Sequence, residues 1–127
     1  MRPSNTTLTG QELEIMKVVW QLETATVRQV YETLLERRKI AYTTVMTMMN
    51  ILEQKGHLKK RCEERAYVYQ PARPQKQVIR SMVRDFVDRV FNGSAEPLVA
   101  HLVEDRCLSE GDLEEIRKTI KAARRKE

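Results

Sequence analysis

At 127 residues the chain has room for one domain or two very small ones. Hydrophobic residues make up 41% and charged ones 32%, a globular composition well away from the disordered class. The net charge of +5 and a pI near 9.4 favour an anionic partner. No apolar run approaches the roughly 20 residues of a membrane helix, and no basic-then-apolar leader stands ahead of the first structured segment. A cytoplasmic protein without a membrane partner is therefore expected. Cys62 and Cys107 lie far apart, with no CxxC spacing, so they read as free thiols, and neither a metal nor a cofactor is expected.

The first helix is announced by Thr9-Gly10-Gln11-Glu12, a capping box, with Leu8 and Leu13 placed as its hydrophobic staple. Leu13, Met16, Val19 and Trp20 supply its inward face, and the helix is expected to end near Glu23. Thr26-Val27-Arg28-Gln29 repeats the box, and Val27, Val30, Tyr31, Leu34 and Leu35 continue as a second amphipathic helix. Arg37-Arg38-Lys39 closes it, where cations suit the helix dipole.

The third helix, opening at Ala41, is unusual. Val45, Met48, Met49 and Leu52 fall at i, i+3, i+4, i+7 and face a core. The opposite side gathers Thr43, Thr47, Asn50 and Gln54, flanked by Thr44, where Lys and Glu would serve helix stability better. Lys55-Gly56 ends it. Leu58–Cys62 and Ala66–Gln70, separated by Glu63-Glu64-Arg65, read as a β-hairpin closed by Pro71 and Pro74.

From Pro74 onward the pattern is helical throughout. Val78, Ile79, Met82, Val83, Phe86, Val87, Val90 and Phe91 form one long stripe ending at Asn92-Gly93. Pro97 opens a short helix with Leu98, Val99, Leu102 and Val103, and Ser109 caps a last one carrying Leu113, Ile116 and Ile120. So wide a stripe in about 55 residues needs a partner surface, and a second copy of the chain is the simplest supplier. The expected architecture is mainly α with a small β-hairpin wing: a winged helix-turn-helix over residues 1–72, followed by a helical dimerisation region over 73–127. The dimer is assigned to Ile79, Met82, Val83, Phe86, Val90, Leu98, Leu102, Leu113, Ile116 and Ile120.

No Ser/His/Asp arrangement, Gly-rich phosphate loop or paired histidines support catalysis, and an enzyme is not expected. Recognition of double-stranded DNA fits the third helix. Short side chains let a helix approach base edges, and a threonine can bond a base while its methyl meets that of thymine. Thr43, Thr44 and Thr47 lie in the first two turns, the part of a recognition helix that reads bases. Cations should grip the backbone on either side: Arg37, Arg38 and Lys39 before the helix; Lys55, Lys59, Lys60 and Arg61 after it. Asn50, a turn further on, reaches a phosphate.

The residues also carry a resemblance. Leu8-Thr9-Gly10-Gln11-Glu12-Leu13-Glu14-Ile15-Met16-Lys17-Val18-Val19-Trp20, Ala41-Tyr42-Thr43-Thr44-Val45-Met46-Thr47, Lys55-Gly56-His57-Leu58, Tyr67-Val68-Tyr69, and Leu98-Val99 through Leu113-Glu114-Glu115-Ile116 stand in a shared order and spacing. Together they make the chain similar, over nearly its whole length, to the penicillinase repressor (BlaI/MecI/CopY) family of transcriptional regulators. The resemblance implies a winged-helix DNA-binding half, a dimerisation half, and repression through a two-fold operator, in some members one controlling β-lactam resistance. It also sets three departures. The chain ends Ala123-Arg124-Arg125-Lys126-Glu127 and lacks the cysteine-rich copper site of one branch, which Cys107 alone cannot build. His101-Leu102 stands where some members have the Asn-Phe bond cut by a sensor protease, which leaves that partner unconfirmed. Ala41 stands where relatives have a capping Ser.

Two other functions fit the same elements. A winged-helix protein-interaction module would use Met46, Met48 and Met49 as a plastic surface, although Met48 and Met49 face inward at helical spacing. A small-molecule-sensing regulator would need a pocket that no polar constellation marks in the sequence. A redox switch at Cys62, on the wing, is a further idea.

Overall fold

The computed structural model describes residues 8–125; the first seven residues of the expected 1–72 domain and the last two of 73–127 lie outside the described residues. In chain order the elements are α1 (Gly10–Leu22), α2 (Val27–Leu35), α3 (Tyr42–Gln54), β1 (Leu58–Glu63), β2 (Ala66–Pro71), α4 (Gln75–Phe91), α5 (Glu96–Glu104) and α6 (Glu110–Arg125). The fold is mainly helical with one antiparallel hairpin, as the pattern predicts. It forms two compact units that divide within α4, one reaching to Met82 and one starting at Val83.

In the first unit both capping boxes form. The Thr9 hydroxyl accepts from the Glu12 amide and the Glu12 carboxylate accepts from the Thr9 amide; Thr26 and Gln29 repeat the exchange. Each side-chain cap contributes about 1 kcal/mol by satisfying amides the helix cannot. A Schellman motif ends α3, with Gly56 at φ 87, its amide on the Glu53 carbonyl and the His57 amide on that of Leu52. Only a residue without Cβ adopts that backbone at no steric cost.

The core of this unit is Ile15, Met16, Val18, Val19, Val30, Leu34, Val45, Met49 and Leu52, all but closed to solvent, with Leu8, Ala25, Leu58, Tyr69 and Val78 around them. The inward face of α1 is broader than predicted. Ile15 and Val18 are fully buried, whereas Leu13 and Trp20 are only partly so, because α2, α3 and β2 all lie against that helix. Leu35 is exposed and Met48 half-buried.

The hairpin is one residue longer per strand than the reading, with Leu58↔Pro71, Lys60↔Tyr69 and Cys62↔Tyr67 opposite one another. Its turn is two residues, Glu64 and Arg65, both at positive φ (47° and 72°). That geometry matches the strand twist but usually takes Asn-Gly, and a non-glycine residue there costs on the order of 1 kcal/mol. Ala25 adds a bridge beside Tyr69, its amide and carbonyl exchanging bonds of 2.9 and 2.8 Å with that residue, so the wing is tied to the α1–α2 turn. The Trp20 indole N–H donates to the Arg73 carbonyl and fixes the exit from the wing.

The second unit closes far less. Among the described residues of α5 and α6 none is buried. Val83, Phe86, Val90, Leu113, Ile116 and Ile120 are between 41% and 52% exposed. Its internal order comes from Phe86 edge-on to Phe91, His101 against Phe91, and a Ser109–Asp112 capping box at the start of α6.

Candidate nucleic-acid interface

The buried stripe of α3 fixes what its other side presents. With Val45, Met49 and Leu52 sealed in the core, Thr43, Thr44 and Thr47 are all exposed to solvent. Asn50 lies on the same face, but its Oδ1 accepts from the Tyr69 hydroxyl at 3.1 Å. Burial first, and the carboxylate of Glu53 second, raise the pKa of that hydroxyl, so it stays protonated and keeps donating. The bond ties α3 to the wing. Ala41 caps α3 without a side-chain bond, leaving the first-turn amides open.

The expected cations separate into two groups. Arg37, Lys39, Lys59 and Lys60 are exposed and form no ion pair among the described residues. Arg38 closes a fork on Glu14, with Nη2 at 2.8 Å and Nε at 3.3 Å, which holds that carboxyl below its ordinary value. Lys55, only 19% exposed, lies 2.9 Å from the buried Glu12 carboxylate and joins the end of α3 to the start of α1. Burial raises the Glu12 carboxyl, but the Thr9 amide and Lys55 outweigh it, and its pKa falls below 4.5. Arg61 pairs with Glu63 on its own strand and reaches Gln70. Lys55 and Arg38 are thus placed as struts of the scaffold, while Arg37 and Lys39 before α3, and Lys59 and Lys60 after it, keep their charge toward solvent.

Two cations missed in the sequence flank the same face. Arg28 sits in the first turn of α2 with its guanidinium 5.7 Å from the centre of the Tyr42 ring, and Tyr42 in turn packs edge-on against Tyr31 at 5.3 Å. Arg65 stands in the wing turn. Both carried a signal: a cation in a helix's first turn opposes the dipole, and an Arg in a left-handed turn opposes its backbone preference. On the wing, Lys60 covers the Tyr67 ring at 4.7 Å. Among the described residues no group of three His, Cys, Asp or Glu could hold a metal, and no helix is long and apolar enough to cross a membrane.

Of the expected dimer residues, Val83, Phe86, Val90, Leu113, Ile116 and Ile120 are exposed, and Leu98 and Leu102 are half-buried within the second unit. Ile79 is half-buried, and Met82 packs against the core of the first unit, where Val78 is buried.

Comparison with known proteins bears on this arrangement. The family model described as Penicillinase repressor matches residues 8–122. A transcriptional regulator BlaI of Mycobacterium tuberculosis is 33% identical over 109 residues, covering 84% of this chain and 79% of the relative. The penicillinase repressor of Bacillus licheniformis is 28% identical over 109 residues, covering 86% and 85%. The solution structure of the DNA-binding domain of the repressor BlaI superposes with a TM-score of 0.52 at 28% identity, covering 58% of this chain and 90% of that one.

Proposed function

The chain belongs to the penicillinase repressor family, and on that premise we propose that it is a homodimeric transcriptional repressor rather than an enzyme. In this reading α3 enters the major groove of a two-fold DNA operator, and occupancy of the promoter excludes polymerase. Thr43, Thr44 and Thr47 read base edges; Arg37, Lys39, Lys59 and Lys60 hold phosphates on either side. Arg38 and Lys55 act one step back, by fixing α3 and its approaches. Residues 1–72 supply the DNA-binding domain and 73–127 the dimer, through the apolar faces of α4, α5 and α6. The observation that carries the reading is the exposed, uncharged threonine face of α3, with cations at both its ends that form no ion pair among the described residues.

Purified protein binding to its own upstream DNA, compared with a random duplex across a salt series, tests it. Thr47→Ala should lose about five- to tenfold on the operator and little on random DNA. Lys59→Ala should weaken both equally and lower the salt slope by about one. Equal losses on both duplexes for both variants would sink the assignment of α3 to the groove.

A further inference from the structure

Between α3 and the wing, wholly within the first unit, lies a groove of about 630 Å³, a size typical of sites for small organic ligands. Its surface is mostly apolar, from Val27, Met46, Ala66 and the rings of Tyr42, Tyr67 and Tyr69. Three cations, Arg28, Lys60 and Arg65, converge on its lining, and no carboxylate does. Arg28 and Lys60 each already sit over an aromatic ring, 5.7 and 4.7 Å from its centre. Flat rings and guanidinium or ammonium groups are therefore held together on one concave surface.

We propose that this groove is a binding site for a small aromatic carboxylate. The ring of the ligand lies on Met46, Tyr42 and Tyr67, and its carboxylate faces Arg28 and Lys60. Charge decides the sign of the ligand: no acidic side chain lines the groove, and of its three cations only Arg28 has a carboxylate partner among the described residues, the exposed Glu32 at 3.7 Å, a pair that water screens. The apolar floor decides the rest: a phosphodiester satisfies the cations but leaves the tyrosine and methionine surface bare, whereas a fused ring covers it. Asn50 and Lys60 border this groove and also belong to the proposed DNA face. A bound carboxylate neutralises Lys60 and stands beside the Asn50–Tyr69 bond, so ligand and DNA exclude one another. This last step, unlike the site itself, rests on the DNA-binding reading.

The test uses the full chain, without DNA, titrated with 2-naphthoate and with the neutral 2-naphthamide, followed by calorimetry and by amide chemical shifts. Naphthoate should saturate with a Kd on the order of 1 mM or tighter and shift amides of α3 and the wing. The amide should bind about fivefold or more weakly, and Arg28→Gln and Tyr67→Ala, both at exposed side chains, should each cost naphthoate a similar factor. Val103→Ser, in α5, should change nothing. Equal affinity for naphthoate and naphthamide, shifts confined to α4–α6, or no saturation by about 10 mM overturns the site. If Arg28→Gln weakens DNA binding while naphthoate fails to bind, the groove serves the DNA backbone and the proposal falls. At one sub-saturating naphthoate concentration, operator affinity should drop in the wild type and less in Arg28→Gln; a drop in neither refutes the coupling alone.

Discussion

The two halves of this chain solve opposite problems with similar helices. In the first unit, three helices and a hairpin surround one core, and residues such as Met16, Leu34 and Met49 are wholly closed to solvent. In the second, helices with equally regular apolar stripes leave Phe86, Val90, Ile116 and Ile120 two-fifths to one-half exposed. Burial of apolar area supplies most of the folding free energy, at roughly 25 cal/mol per Å². The first unit therefore holds its own stability, and the second has an apolar surface that a second copy of the chain would complete. On the proposed function, such an arrangement would separate the part that reads DNA from the part that sets how many readers stand side by side.

Substitutions can pull the two halves apart. Leu34→Ala should have the largest effect, costing about 2–5 kcal/mol through lost burial and the cavity left behind. At about 4–8 °C per kcal/mol for a domain of this size, thermal unfolding followed by circular dichroism should move by roughly 10 °C or more. Phe86→Asp should leave the amide spectrum of the winged helix in place and weaken the proposed dimer about 100-fold, seen as a halved mass in sedimentation. Affinity for a full operator should then fall about as far, while that for a half-site stays unchanged, because the second contact is no longer tethered. If Phe86→Asp instead unfolds the first unit, the two halves are not separable in the way their burial suggests.

How far these features could be read ahead of the coordinates follows the range of the interaction. Capping boxes at Thr9 and Thr26, the Gly56 stop and the Asn92-Gly93 end rest on residues three or four apart, and all were legible. So was the inward face of α3, since Val45, Met49 and Leu52 keep helical spacing. Ile15 and Val18 fall outside a single apolar stripe because α1 packs against three elements at once. The roles of Arg38 and Lys55 were beyond reach: Glu14 and Glu12 lie 24 and 43 residues away, and only the fold brings them within 3 Å. The groove is the extreme case, drawing its lining from α2, α3 and both strands, so no window of sequence contains it.

The Glu12–Lys55 pair gives a middling effect that sharpens the role of the first unit. Glu12 is depressed below its ordinary 4.5 in the folded state, so its contribution is fully present above that value and is lost as pH falls through the folded pKa. Glu12→Gln keeps an acceptor for the Thr9 amide but removes the charge facing Lys55. We expect it to cost about 1–2 kcal/mol at pH 7, and the gap to wild type to shrink as pH drops below about 4.5. Urea midpoints at several pH values measure this. A gap that does not change with pH would assign the loss to packing rather than to charge.

The smallest expected effect concerns Ala41. With no side chain to accept from the first-turn amides of α3, Ala41→Ser should stabilise the free protein by about 0.5–1 kcal/mol, measured as a higher urea midpoint. If stability were all that mattered at this position, the variant would be better in every assay. Open amides at a helix N-terminus also suit an incoming phosphate, through their donors and the positive end of the dipole. A serine hydroxyl that occupies one of them competes with that contact. Ala41→Ser should therefore fold more tightly yet bind operator and random DNA alike about two- to threefold more weakly, a loss on the scale of one helix-terminus contact. Tighter folding with undiminished binding would place the phosphate elsewhere and leave Ala41 as a plain local cost of the fold.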